Sequence, residues 1–134
     1  ELALAFLDEY EPTLTLLGLG EPDDWAHNRR YDRVIESARY FDDALERLWT
    51  FLQSHRAYKD KTTLIITSDH GRGAGLAGWH SHGVMHRGSE YIWLGVFGPD
   101  TPKDGVLADT GETTQGQVAA TAAHLLGLDY GAFA

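Results

Sequence analysis

Apolar and polar positions along the chain follow two different spacings. Over residues 2–10 apolar side chains recur at helical intervals, and Pro12 closes the stretch. Residues 13–20 read Thr-Leu-Thr-Leu-Leu-Gly-Leu-Gly, a short apolar, partly β-branched run ended by glycine, which predicts a buried strand. From about residue 30 to 55 the apolar positions Tyr31, Val34, Ile35, Ala38, Phe41, Ala44, Leu45, Leu48, Phe51 and Leu52 step by three and four. That spacing predicts an amphipathic helix with charges of both signs on its solvated face. Residues 62–68 predict a second buried strand, which delivers Asp69-His70-Gly71. Residues 90–97 predict a third, stopped by Gly98-Pro99. Between these two strands, residues 71–89 hold six Gly and three His with little periodicity, which predicts a long loop of the functional kind. A loop rich in Pro, Asp, Gly and Lys spans 101–110. A last helix over 114–126 is expected to bury Val118, Thr121, Ala122, Leu125 and Leu126, with Gly127 at its C-cap.

Strands alternating with helices predict the α/β class, with a mainly parallel sheet flanked by helices. In such sheets ligands collect beyond the carboxyl ends of the strands. Each predicted strand runs into a cluster of polar or glycine residues at that end. No repeat, low-complexity tract or linker divides the chain, so residues 1–134 read as a single α/β segment.

Composition narrows the chemistry. Lys and Arg number 11 against 20 Asp and Glu, a formal net charge of −9, which argues against a nucleic acid as a regulatory partner. With no cysteine there is no disulfide framework, no thiolate metal site and no thiol nucleophile, and the compartment stays open between cytoplasmic and periplasmic or secreted. No apolar run reaches the roughly 18 residues of a membrane span. The chain opens inside a helix-like stretch without a Met, which leads us to expect a segment of a longer protein.

Seven histidines are many for this length, and most sit at the predicted strand ends. After the first strand comes Glu21-Pro-Asp-Asp-Trp-Ala-His27, where one helical turn would bring Asp23 and His27 to one face, with Asp24 as the rival register. After the second come Asp69 and His70. Before the third lies Gly78-Trp-His-Ser-His-Gly-Val-Met-His86, in which His80, His82 and His86 compete for one role. Carboxylates and imidazoles without sulfur suit zinc first, then manganese or iron. Each piece is common by itself, and their placement at three strand ends of one sheet is the specific signal. The plainer readings are that Asp23 only caps a helix, that the loop histidines are solvated, and that His55 and His124 are structural. Arg72, Arg87 and Lys103 lie near the presumed site, where the functional reading is contact with a substrate anion and the plainer, favoured one is a surface charge. Trp93 reads as sheet core, with Trp25 and Trp79 open between packing and a pocket wall.

These residues together resemble the alkaline phosphatase superfamily, and within it the type I phosphodiesterase and nucleotide pyrophosphatase branch. The resemblance rests on Glu-Pro-Asp23-Asp-Trp-Ala-His27, on Ile-Thr-Ser-Asp69-His70-Gly71, on His86-Arg-Gly-Ser-Glu-Tyr-Ile-Trp-Leu-Gly-Val-Phe-Gly98-Pro99 and on the closing Val118 to Leu128 stretch. It implies an alkaline-phosphatase-like domain of which this is the C-terminal portion, and a hydrolase of phosphate esters or diesters. It implies two divalent metal ions, zinc above others. Asp23, His27 and His86 would hold one ion. Asp69 and His70 would hold the other, with an Asp expected upstream. The Ser or Thr nucleophile is likewise expected upstream, so this segment alone would be inactive. A sulfatase, acting on sulfate esters, or a phosphoglycerate-mutase-like member is the alternative within the superfamily, and a non-catalytic metal-binding module is the alternative outside it.

Overall fold

The computed structural model describes residues 1–107 and 111–132. The end of the 101–110 loop therefore lies outside the described residues. Helix α1 spans Leu2–Tyr10, α2 Glu21–His27 and α3 Tyr31–Ser54, followed by strand β1 at Leu64–Thr67. A single helical turn, α4, occupies Gly75–Gly78. Strand β2 is Leu94–Phe97, α5 is Gly116–Leu125 and a 3-10 turn follows at Tyr130–Ala132.

Local chemistry accounts for most of these boundaries. Helix α1 ends when Glu11 turns left-handed (φ 42) and donates its N–H to the Leu7 carbonyl, ahead of Pro12, which could not continue the helix. In α2, Pro22 sits in the first turn, where its missing N–H costs nothing, and Glu21, Asp23 and Asp24 face the positive end of the helix dipole. His27 occupies the last turn of the same helix, beside its negative end. Helix α3 opens with Arg30 gripping Asp32 through two bonds of 3.0 and 2.7 Å, which hold the Asp32 carboxyl down at about 2. Gly127 (φ 71) closes α5, and the Leu128 N–H reaches back to the Ala123 carbonyl at 2.9 Å, a Schellman-type end.

The core lies between α1 and the C-terminal end of α3. Leu7, Leu52 and Tyr58 are buried there, with Leu48, Trp49, Phe51 and Ala57 packed around them. The Tyr58 hydroxyl donates to the Leu7 carbonyl at 2.9 Å. His55 caps α3, accepts the Ala57 N–H at 3.2 Å and sets its Nε2 3.3 Å from Asp8. The structural role expected of His55 is therefore a specific one, tying α1 to α3.

The sheet departs from expectation in three respects. Strands β1 and β2 pair antiparallel, with Leu64 opposite Phe97 and Thr67 opposite Leu94, and no parallel pair occurs among the described residues. A parallel pair needs a crossover, usually a helix, between its strands. Residues 68–93 contain only the single turn of α4, and the chain folds back on itself. Residues 13–20 form no strand. Their alternation has no neighbouring ladder to satisfy it, and Leu16 is left 94% exposed. Trp93, read as core, is 57% exposed, because the short sheet offers it no opposing layer. Helix α5 also buries less than its pattern promised, with Thr121 and Leu125 exposed.

Candidate metal centre

The predicted turn at residues 21–27 exists, and it aligns Asp23 with His27 on one face of α2. His27 Nε2 stands 3.3 Å from Asp23 Oδ2. Asp24 is exposed and is not a member of this pair; its backbone carbonyl accepts the Asn28 side-chain amide at 2.8 Å.

From the end of β1 the chain enters a loop organised by its own hydrogen bonds. The Gly71 N–H donates to the Ser89 carbonyl at 2.8 Å, Gly73 to Ser81 at 2.9 Å and Ala74 to Arg87 at 3.0 Å. Glycine is required at the first of these crossings, since a Cβ on Gly71 would lie 2.2 Å from the Tyr91 carbonyl oxygen. Buried Ser89 donates its hydroxyl to the Gly83 carbonyl at 2.9 Å and accepts the Gly83 N–H at 3.2 Å. These bonds bring His82 back over His70. The two rings stack with centroids 3.6 Å apart and an 11° interplanar angle.

Asp23, His70 and His82 thereby form a group whose ligand atoms all lie within 4.8 Å of one another. Both His70 Nε2 and His82 Nε2 stand 3.6 Å from Asp23 Oδ1. His27 borders the group, its Nε2 only 3.0 Å from that of His82. Tetrahedral ligands at zinc distances stand about 3.3 Å apart, and these separations bracket that value. His70 sets its Nδ1 3.0 Å from the Gly71 carbonyl, so the Nδ1 hydrogen points there and Nε2 carries the free lone pair. Burial holds the His82 imidazole below its usual range, and nearby His70 adds to this, keeping His82 in the neutral form that can ligate. The donor set fits a borderline divalent ion such as zinc.

The remaining predicted residues lie at or beyond the rim. Asp69 is 83% exposed; its Oδ1 accepts the His70 N–H at 3.0 Å and its Oδ2 lies 3.6 Å from His70 Nε2. His86 is not a member of the group. Its backbone builds the loop turn, donating to Gly83 at 2.8 Å and accepting from Ser89 at 3.0 Å. His80 faces Ser81 and the edge of Trp79, while Trp79 meets Tyr31 edge-on, joining the loop to α3. Trp25 turns toward α3, where Arg33 lies over its ring.

Sequence reasoning missed two contacts of the site. Arg72, read as a surface charge, pairs its guanidinium with Asp23 Oδ1. Gln115, just ahead of α5, donates its amide to the Asp69 carbonyl at 3.1 Å and the Ser68 carbonyl at 3.3 Å, tying α5 to the end of β1. Neither carried a periodic or spacing signal. An open depression of about 640 Å³ adjoins the group, walled by His70, His82, Val84, Met85, Arg87 and Glu90.

Asp23, His70 and His82, gathered from a helix, a strand end and the loop beyond it, form a cluster of nitrogen and oxygen donors that could hold a metal ion. Residues 2–86 match the type I phosphodiesterase / nucleotide pyrophosphatase family, and the chain belongs to that family. With it come an alkaline-phosphatase-like α/β fold and a phosphoester hydrolase kind of function, in a family that acts on phosphate esters and nucleotides. Comparisons with curated proteins and with solved structures give no match. No helix among the described residues is long and apolar enough to cross a membrane.

Proposed function

We propose that this chain supplies most of the ligands of a two-metal centre that hydrolyses phosphate esters or diesters. The observation that carries the reading is the convergence of Asp23, His70 and His82, with His27 beside them, from three separate parts of the chain. Asp23, His27 and one loop histidine hold one ion. His82 has the better geometry for this than His86, and His86 is the rival that mutation separates. Asp69 and His70 hold the second, with an Asp and the Ser or Thr nucleophile contributed from upstream. Held by these residues, divalent ions would supply a lowered pKa at the nucleophile and charge neutralisation at the departing oxygen. The chain's own part is placement. Asp23 supplies the anionic oxygen, the Gly71 carbonyl fixes the His70 tautomer, and the Ser89–Gly83 bonds hold the loop that carries His82.

In this reading residues 1–134 are one part of a larger domain. Its sheet is mainly parallel, and the β1–β2 pair forms an antiparallel margin of the kind many α/β sheets carry.

The test is zinc titration against a competing chelator in the intact protein, with hydrolysis of bis(p-nitrophenyl) phosphate alongside. Asp23→Asn, His70→Ala and His82→Ala should each weaken zinc binding by at least about tenfold and abolish hydrolysis, with His86→Ala near wild type. Zinc binding indifferent to all of them removes the site. Faster turnover of p-nitrophenyl sulfate than of the phosphate diester removes the substrate class.

A further inference from the structure

Arg72 is a charged group of the candidate site with no ligating role. Its guanidinium lies on Asp23 Oδ1, the same oxygen that faces His70 Nε2 and His82 Nε2 at 3.6 Å each. The Asp23 carboxylate is about one-third exposed and its other oxygen faces His27. Asp23 is thus the only carboxylate of the three-ligand group, and its negative charge is already balanced by an internal cation. A guanidinium keeps its charge at any working pH. A divalent ion on Oδ1 would repel it and draw electron density from the same oxygen, so the Arg72–Asp23 contact weakens as the ion binds. A second observation concerns the other arm of the same group. Arg72 Nη1 is buried and has no hydrogen-bond partner among the described residues. A buried donor left unpaired is costly, and a charged donor more so. This guanidinium has an unmet demand for an oxygen beside the candidate metal centre.

We propose that Arg72 is a metal-gated anion clamp. Without metal it neutralises Asp23. When a divalent ion takes Oδ1, Arg72 is displaced and presents its planar pair of N–H groups to the non-bridging oxygens of a phosphoryl group at the same site. Guanidinium geometry suits such bidentate capture, which an ammonium cannot reproduce. The site therefore loads in order, metal before anion, and binds phosphate poorly until it holds metal. No covalent step is involved. The inference rests on the metal-centre reading above.

The test uses the intact protein, zinc and inorganic phosphate. Arg72→Gln removes the internal cation, so zinc affinity should rise by about tenfold, while phosphate affinity of the zinc-loaded protein should fall by about tenfold, the scale of one charged hydrogen bond. Arg72→Lys keeps the charge and should restore wild-type zinc affinity without restoring phosphate affinity. A merely structural arginine would give the opposite sign, with zinc binding weakened by every substitution. Unchanged or weakened zinc binding in Arg72→Gln overturns the proposal even while His70→Ala still abolishes binding, so the two readings fail separately. Should Arg72→Gln not fold, side-chain 15N spectra of wild type decide. Zinc must shift the Arg72 guanidinium resonance, and a resonance that does not move overturns the clamp.

Discussion

At the scale of single residues, the placement of two histidines depends on groups that never touch a metal. Gly71 lies so close to the Tyr91 carbonyl that any side chain would force the loop apart. Gly71→Ala should therefore cost about 3 kcal/mol of stability, the upper range for overpacking. It should also weaken zinc binding, because the Gly71 carbonyl orients His70. Ser89 is a quieter case. Its hydroxyl makes both bonds to Gly83, the residue after His82. Ser89→Ala should cost about 1 kcal/mol through loss of these two part-buried hydrogen bonds, the Gly83 carbonyl keeping the His86 N–H. Urea denaturation checks both values, and a Gly71→Ala protein as stable as wild type would contradict the close approach. Residue identity was partly legible beforehand. The pair Asp23 and His27 followed from helical spacing, and Asp69-His70 from its place after a strand. The choice among His80, His82 and His86 was not legible. A glycine-rich loop has no period, and its path is decided by non-local bonds such as Gly71 to Ser89. The pairing of Arg72 with Asp23 was hidden for the same reason, since nothing local distinguishes a solvated arginine from one folded onto a carboxylate 49 positions away.

At the scale of elements, long periodic segments read well and short ones did not. Helix α3 falls within one residue of its predicted span because apolar steps of three and four over six or seven turns admit no other structure. The run at 13–20 has strand-like residues, yet a strand exists only with a partner to pair its N–H and carbonyl groups. Direction of pairing was equally beyond reach, since it depends on whether the connection crosses over or returns. The contact of α1 with α3 makes a prediction of its own. Burial, with Glu11 and Asp8 nearby, raises the Tyr58 hydroxyl above its ordinary value of 10.0, favouring the neutral donor that bonds Leu7. The unfolded chain releases this proton near pH 10 and the folded one later, so stability contributed by Tyr58 is full below pH 10 and declines above it. Tyr58→Phe should cost about 1 kcal/mol at neutral pH and flatten the alkaline decline. Thermal melts from pH 8 to 11 measure both, and a decline that persists unchanged in Tyr58→Phe would assign it to other groups.

At the scale of the whole molecule, burial is the deciding quantity. The chain exposes 10477 Å² of surface, whereas a compact monomer of 14.8 kDa exposes roughly 7,000 Å². Large apolar side chains contribute to the excess. Leu14, Leu16, Leu17 and Leu19 stand out along the segment after α1, and Leu76, Val84 and Met85 project from the loop that carries His82. Isolated surface leucines are ordinary, but contiguous ones are not. The same shortage of cover explains why β1 and β2 are only partly buried, and why few side chains are buried beyond the cluster at the junction of α1 and α3 and Ala26 of α2. Hydrophobic patterning announces which faces want covering and says nothing about what covers them, so the sheet's missing layers could not be read in advance. If residues 1–134 are part of a larger domain, the segment produced alone should behave as an under-packed chain. We expect it to bind the dye ANS strongly, to unfold in urea with a shallow slope for its length, and to scatter light increasingly with concentration. The intact protein should show none of these. A segment that is monomeric, free of ANS and sharply cooperative would show that its exposed leucines need no cover, and would remove the larger domain from the proposed function while leaving the Asp23–His70–His82 group in place.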